Sequence, residues 1–258
     1  MEIVKYNFKE LKNMTILPIG DVHIGSKTSK WKELVNFALT HPKIYFLLLG
    51  DMINNSTKTS KVNPHDDIMS PSDQQIVLTD ILKEIGPERF LGAVTGNHEE
   101  RTTKVADIDP TETIYRALNI PFNRVSMVCD LTVGFKSSER GYNYSILFTH
   151  GKGGGRTPGA PVNNGSKTKN IINSGIDIYI SGHTHQPFVV PKAVNEYDRH
   201  NKNIIKKTYW LVNAGAWLEY ESYAERGLYE PNANIYNFIK LSGENKKIDF
   251  EMEEMKWN

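Results

Sequence analysis

The chain has 258 residues, of which 39% are hydrophobic, 10% aromatic and 24% charged, the composition of a folded globular protein and not of a disordered, collagenous or coiled-coil one. With 31 Lys and Arg against 30 Asp and Glu the formal net charge is +1, so no general basic coat serves nucleic acid or an anionic membrane, and any attraction for phosphate has to be local. The lone cysteine, Cys129, cannot close an intrachain disulfide, residues 1–8 lack a basic-then-apolar leader, and the longest apolar run, 44–49, falls far short of the roughly 20 residues that span a bilayer, which together point to a cytoplasmic protein with no membrane partner.

In chain order, apolar runs at 14–19, 44–49 and 90–95 each have the length of a strand buried on both faces, and each ends near a glycine followed by a polar residue. Between them Trp31, Leu34, Val35, Ala38 and Leu39, and then Leu78, Ile81, Leu82 and Ile85, recur at helical spacing. The run Asp109-Pro110-Thr111-Glu112 predicts a helix start, with Asp as N-cap, Pro in the first helical position and Glu three residues after the cap. This half reads as βαβα with a largely parallel sheet. The second half is strand-rich, with strands expected at 125–135, 142–149, 177–181, 188–194, 205–213, 235–241 and 248–252 and one helical stretch at 166–174. Residues 243–247 read as a solvated hairpin turn. No linker or repeat divides the chain, which predicts a single domain over residues 1–258 in an α/β class, two packed β-sheets flanked by helices.

Five segments share one design, a hydrophobic strand that stops at Gly or Thr and delivers a metal-ligating residue type into the next loop. They are Asp21-Val22-His23 after Gly20, Gly50-Asp51, Gly96-Asn97-His98-Glu99, His150 after Thr149, and Gly182-His183-Thr184-His185. In an open α/β sheet, ligands bind outside the carboxyl ends of the strands, where such loops converge. Imidazole and carboxylate without thiolate suit Mn, Fe, Zn or Ni more than a structural zinc site or a calcium cage. Asp21, His23, Asp51, Asn97, His150, His183 and His185 are too many for one ion and fit two, with one ligand shared. Two divalent ions less two carboxylates and a hydroxide leave net positive charge, the sign that binds phosphate, and paired ions suit displacement at phosphorus. Any one block alone reads more readily as a turn or cap residue than as a metal ligand; it is the five together that point to a metal site.

The ordered blocks D-x-H, GD, GNH[ED], a lone His after a strand, and GH-x-H, met here by Asp21/His23, Gly50/Asp51, Gly96 to Glu99, His150 and Gly182 to His185, resemble the signature of the calcineurin-like metallophosphoesterases. Val212-Asn213-Ala214-Gly215 extends the likeness to about residue 217. The resemblance implies a two-sheet sandwich with helices outside. It implies one metal, manganese preferred, on Asp21, His23, Asp51 and His185, and a second on Asp51, Asn97, His150 and His183, with Asp51 bridging. His98 is not a ligand in that family. An imidazole titrates nearest neutrality, so His98 is expected to assist the leaving oxygen while a bridging hydroxide attacks phosphorus, with Asp51 and Asn97 completing the catalytic set. Glu99 is expected to orient His98 or the loop backbone.

Other residues carry open readings. The loop Gly151-Lys152-Gly153-Gly154-Gly155-Arg156 lacks the spacing of a P-loop; it is either a surface loop or a lid whose amides, Lys152 and Arg156 grip a phosphate. Lys167 and Lys169 would extend a basic strip. Arg101 to Lys104 is either a solvated loop or a further phosphate contact through Arg101. Residues 54–67 form either a substrate-facing or an idle loop. His41, His65 and His200 read as surface imidazoles and Cys129 as a small buried hydrophobe. Trp31, Trp210 and Trp217 read as core, with Trp217 alternatively at a rim where a base stacks.

Family membership leaves the phosphoester open. Protein phosphatases of the family carry GD-x-x-D-R-G, whereas this chain has Gly50-Asp51-Met52-Ile53-Asn54-Asn55-Ser56, which argues against that activity. The start Asp21-Val22-His23-Ile24-Gly25 is similar to SbcD-type repair nucleases and the exonuclease subunit of archaeal polymerases, and the layout resembles small metallophosphoesterases of phages and prophages. The expectation is a phosphodiesterase or nuclease acting on DNA, RNA or nucleotides, with a phosphomonoesterase or a catalytically silent phosphate-binding module as the alternatives; the oligomeric state is left open.

Overall fold

The computed structural model describes residues 1–57, 67–134, 141–154, 157–220, 225, 228 and 230–255. Among these residues two six-stranded sheets lie face to face. The first is built on β2 (Asn13–Ile19), β3 (Ile44–Leu48), β4 (Phe90–Val94) and the two-residue β5 (Phe122–Asn123), all parallel. Two later strands, β11 (Ile235–Ser242) and β12 (Ile248–Glu254), add antiparallel to its β2 edge. The second sheet runs β1 (Glu2–Phe8), β6 (Ser126–Val133), β7 (Tyr142–Thr149), β8 (Ile178–Ser181), β10 (Asn203–Asn213) and β9 (Phe188–Asp198).

The apolar runs follow from two-sided burial. Along β2, Met14 and Ile16 face the second sheet, where they meet the layer containing Met127, Cys129, Ile146 and Val212. Leu17 and Ile19, on the other face, pack under α1 (Trp31–Thr40) and α2 (Pro71–Ile85) through Leu34, Ala38, Leu78 and Leu82. On the far side α5 (Ala160–Ser166) lies so close to β9 that a side chain at Gly165 would strike Phe188. The result is the α/β, helix-flanked double sheet expected from the sequence.

Several expectations need correction. β1 was not foreseen, although Val4, Tyr6 and Phe8 alternate inward; it is a parallel edge strand on β6, so the chain begins in the sheet otherwise made by its second half. The helix expected at 166–174 lies earlier, as α5 followed by a 3-10 turn at Lys167–Asn170, because Pro161 marks its first turn. Residues 101–104 are not a loop but part of α3 (Glu99–Ala106). Asp109 does cap, accepting from the N–H groups of Thr111 and Glu112, but the following helix α4 begins only at Glu112 (Glu112–Ala117). Glu112 does not reach back to that cap; it pairs with Arg116 and Arg124. The turn at 243–247 is tied in by Tyr144, whose hydroxyl donates to Ser242 O at 2.6 Å. Among the described residues no helix is long and apolar enough to cross a membrane.

Candidate metal centre

The parallel strands β2, β3 and β4 end at one edge of their sheet, and β7, β8 and β10, mutually parallel, end beside them. The loops that follow are stitched together by backbone bonds. Asp21 N donates to Gly50 O at 3.1 Å, Val22 N and His23 N donate to Asp51 O at 2.9 and 3.0 Å, and Gly182 N donates to His150 O at 2.9 Å. Three of the loops turn sharply at their ligand-type residues: Asp21, His23, Asp51, His183 and His185 all have positive φ, between 50° and 68°. L-residues adopt that region at a cost on the order of 1–3 kcal/mol each, and persistent strain of this kind gathers at functional sites.

The turns aim the side chains inward. One oxygen of each aspartate is fixed by a backbone donor: His183 N to Asp21 Oδ2 at 2.8 Å, and His98 N to Asp51 Oδ1 at 2.7 Å. The other oxygen faces imidazoles. Asp21 Oδ1 lies 3.2 Å from His185 Nε2, and Asp51 Oδ2 lies 3.5 Å from His150 Nε2, 3.8 Å from His98 Nε2 and 3.9 Å from His23 Nε2. Three trios, Asp21/His23/His185, His23/Asp51/His98 and Asp51/His150/His183, each bring their ligand atoms within 4.8 Å of one another. Asn97 joins the last of these, its Oδ1 2.9 Å from His150 Nε2.

His150 Nδ1 faces the carbonyl of Leu49 at 2.9 Å. A carbonyl only accepts, so Nδ1 carries a proton and Nε2 is the nitrogen turned to the centre; burial opposes a charge on this ring, but Asp51, Asp21 and Glu99 raise its pKa. Nε2 lies against two further ligand-type atoms, Asn97 Oδ1 at 2.9 Å and His183 Nδ1 at 3.1 Å. His23 Nδ1 contacts Asn54 Oδ1 at 3.2 Å, and its buried Nε2 has no hydrogen-bond partner. Burial, then the neighbouring His98, pushes the His23 pKa down to about 3, so its ring is neutral and ready to ligate. Burial raises the Asp21 carboxyl, but His185, His150 and His23 outweigh it and hold the group below its usual range. Imidazole nitrogens converging on two fixed carboxylates, which raise the pKa of His150 and His185 in the absence of another cation, fit divalent ions.

Asp51 is braced from behind. The fully buried Glu99 carboxylate accepts from Asp51 N at 2.9 Å, Met52 N at 2.8 Å, Ile53 N at 3.2 Å and Gly96 N at 3.0 Å. Of its two expected roles, holding the loop backbone is the one the structure has. Asn54, to which the sequence reading gave no role, ties three groups together: its side chain meets His23, while its backbone O accepts from His98 Nδ1 at 2.7 Å and from Arg101 Nη1 at 3.0 Å. Its only sequence signal was its place three residues after the GD block. Arg101 Nη2 also donates to His98 Nε2 at 2.7 Å. Burial, then Arg101, pushes His98 down to about 3, and a guanidinium at that nitrogen disfavours a metal ion there.

The remaining candidates are more scattered. Lys152 is exposed in the loop next to His150, a loop that Asn164 contacts at Gly154 O; Gly155 and Arg156 lie outside the described residues, as do His65 and most of the loop between 54 and 67. Lys167 bonds Asn164, whereas Lys169 lies over the Tyr209 ring in a cavity near the start of β8, away from the ligand loops. Trp217 is 1% exposed and packs on Tyr236 and Phe37, so it belongs to the core and forms no stacking rim.

Residues 14–187 match the family model described as calcineurin-like phosphoesterase, more than half of the chain. The chain belongs to the calcineurin-like phosphoesterase family. It is therefore a hydrolase of phosphoester bonds with a candidate metal centre at the described loops. Among solved structures this phosphoesterase is similar to the calcineurin-like phosphoesterase YfkN from Bacillus subtilis, at 11% identity and a TM-score of 0.45, covering 95% of this chain and 91% of that one. It is also similar to a metallophosphoesterase from Sphaerobacter thermophilus, at 14% identity and a TM-score of 0.40, covering 94% and 90%. No curated protein matches it.

Proposed function

We propose that this phosphoesterase is a phosphodiesterase of nucleic acid or nucleotides that works on two divalent ions, manganese preferred. The observation that carries the reading is the single carboxylate oxygen Asp51 Oδ2 between the imidazoles of His23 and His150. Asp21, His23 and His185 would hold one ion and Asn97, His150 and His183 the other, with Asp51 shared. Ions held there supply Lewis acidity toward a phosphoryl oxygen and acidify a water for attack. The chain's own contribution is orientation: Glu99 holds the Asp51 loop, and Asn54 O fixes the His98 ring with Nε2 toward the centre, where it would assist the leaving oxygen once Nε2 carries a proton. Lys152, exposed two residues after His150, would meet a flanking phosphate.

A protein phosphatase is disfavoured by Asn55, which occupies the position where those enzymes carry arginine. Its side chain is turned into the fold, donating to His98 O at 2.7 Å and Thr102 Oγ1 at 2.9 Å. The test is hydrolysis of mono- and bis-(p-nitrophenyl) phosphate with Mn²⁺, before and after chelation, followed by single- and double-stranded DNA. The diester should be preferred and chelation should abolish turnover. His98→Ala should lose roughly 10²–10⁴-fold in rate with its metal content unchanged. A preference for the monoester would make the protein a phosphomonoesterase, and metal binding without hydrolysis of any substrate would make it a binding module.

A further inference from the structure

The ribbon formed by β9 and β10 is longer than the sheet that carries it. β8 pairs only with residues 210–213 of β10, so among the described strands residues 203–209 pair with β9 alone, and a two-stranded ribbon by itself is only marginally stable in water. One face of the ribbon is occupied: Tyr209 packs on Tyr179 and lies under the Lys169 ammonium, and Lys207 pairs with Glu196. The other face is the one on which Trp210 meets Phe250 of β12, in the layer between the sheets. Alternation puts Thr208, Lys206 and Ile204 on that face, with Tyr197 directly opposite Ile204. Ile204 is 72% and Tyr197 63% exposed, so an apolar cross-strand pair stands in water near the ribbon's tip.

Strand β12 offers the complement. Ile248, Phe250, Met252 and Glu254 share its face toward Trp210, and past the Phe250 contact Met252 is 49% exposed. Within β12 there are four acids, Asp249, Glu251, Glu253 and Glu254, and no basic residue, whereas residues 199–207 of the ribbon hold Arg199, Lys202, Lys206 and Lys207 and no acid. Asp249 and Glu251 are paired with Lys247 and Lys240; among the described residues Glu254 and Lys206 have no ion-pair partner. The two patches lie at opposite ends of the strands. β10 runs toward the edge that carries the ligand loops, so Ile204 and Lys206 lie away from it; β12 is antiparallel to β11, itself antiparallel to β2, so Glu254 lies toward it. A two-fold axis normal to the strands near the Trp210–Phe250 contact exchanges those ends. We propose that a second copy of this chain covers this face, in a dimer where Ile204 and Tyr197 of each copy pack on Met252 of the other and Lys206 of each meets Glu254 of the other. Such an interface is closed and self-complementary; its apolar contacts supply affinity and its charges set the register. The dimer is independent of the chemistry at the metal centre.

Sedimentation velocity of the full chain at rising concentration reads the association. Wild type dimerises, and Ile204→Asp weakens the dimer roughly a hundredfold or more, because the loss of one buried isoleucine enters a two-fold interface twice. Circular dichroism checks that this exposed-site variant keeps its fold, and Tyr197→Ser is a second variant at the same contact. The charge pair gives a test that only a contact between copies passes. Lys206→Glu and Glu254→Lys each set like charges opposite one another and associate less than wild type. Mixed in equal amounts the two variants associate again, since every such pair across the interface then joins opposite charges. A wild type that stays monomeric at all concentrations overturns the proposal, as does a dimer indifferent to Ile204→Asp or a pair of charge variants without mutual rescue. A monomer that binds single-stranded DNA in a salt-dependent way, lost in Lys206→Glu, also overturns it and makes the ribbon a nucleic-acid contact.

Discussion

Glu99 shows how much of this centre depends on a residue that need touch neither metal nor substrate. Four backbone N–H groups from two loops end on its two oxygens, and these donors favour the ionised carboxylate in a pocket where burial, then Asp51 and Asp109, raises its pKa. Glu99→Gln keeps the shape but replaces one acceptor oxygen with a donor, so two of the four N–H groups face a hydrogen they cannot bond. Each buried group left unsatisfied costs about 1–3 kcal/mol. The variant should unfold several degrees below wild type and bind Mn²⁺ more weakly, since Asp51 is held by the same loop; calorimetric melting and metal titration measure both. Equal melting temperatures would mean the clamp contributes nothing. The block Gly96-Asn97-His98-Glu99 announced this residue in the sequence, but the identity of its four partners was illegible there, because three of them lie 46 to 48 positions away.

At the level of elements, strand ends meeting at one edge are what assemble the site, and two glycines let them meet. Gly50 has φ +85°, and a Cβ there would overlap the backbone N of Gly96; a Cβ on Gly96 would overlap Asp51 in return. The loops after β3 and β4 therefore touch backbone to backbone, which brings Glu99 within reach of the Asp51 loop. Gly50→Ala must force them apart. Overpacking of this kind typically costs about 1–3 kcal/mol, and here it displaces Asp51, the proposed shared ligand, so the variant is expected to stay folded while losing most of its Mn²⁺ affinity. Circular dichroism with metal titration checks this, and wild-type affinity would show that the loops can give. The strands of this half were legible because both faces are apolar, Leu17 and Ile19 outward and Met14 and Ile16 inward. Helix α3 was not. Its sequence, Glu99 to Ala106, has almost no apolar stripe, and it is held by its end on the Asp51 loop and not by a buried face.

Across the whole molecule the two sheets meet in an apolar layer. Cys129 sits in that layer with its Sγ 3.5 Å from Leu91 O of the opposite sheet, and burial raises its thiol pKa well above the ordinary value. The thiolate is the reactive form. A thiol reagent at pH 8 should leave the native protein unlabelled and modify Cys129 only as fast as the sheets part, so labelling in graded urea reports global unfolding. Rapid labelling without denaturant would contradict the packing described here. The near-zero net charge belongs to this scale as well: it excluded a basic coat, but phosphate attraction in such a protein resides in ions and in a few local cations, not in the average.

By itself the sequence determined the class of fold and singled out the loops that carry Asp21, His23, Asp51, Asn97, His98, His150, His183 and His185, because apolar runs, glycine stops and ligand residue types are local features. Only the tertiary structure decided which atoms face one another. It put β1 into the second sheet, buried Trp217, tied Glu99 to the loop behind Asp51, turned Asn55 inward and brought Arg101 onto His98. Those relations depend on hydrogen bonds and contacts between segments tens of residues apart, or on the direction a helix gives a side chain. A local pattern carries the residue types for such contacts but not their partners.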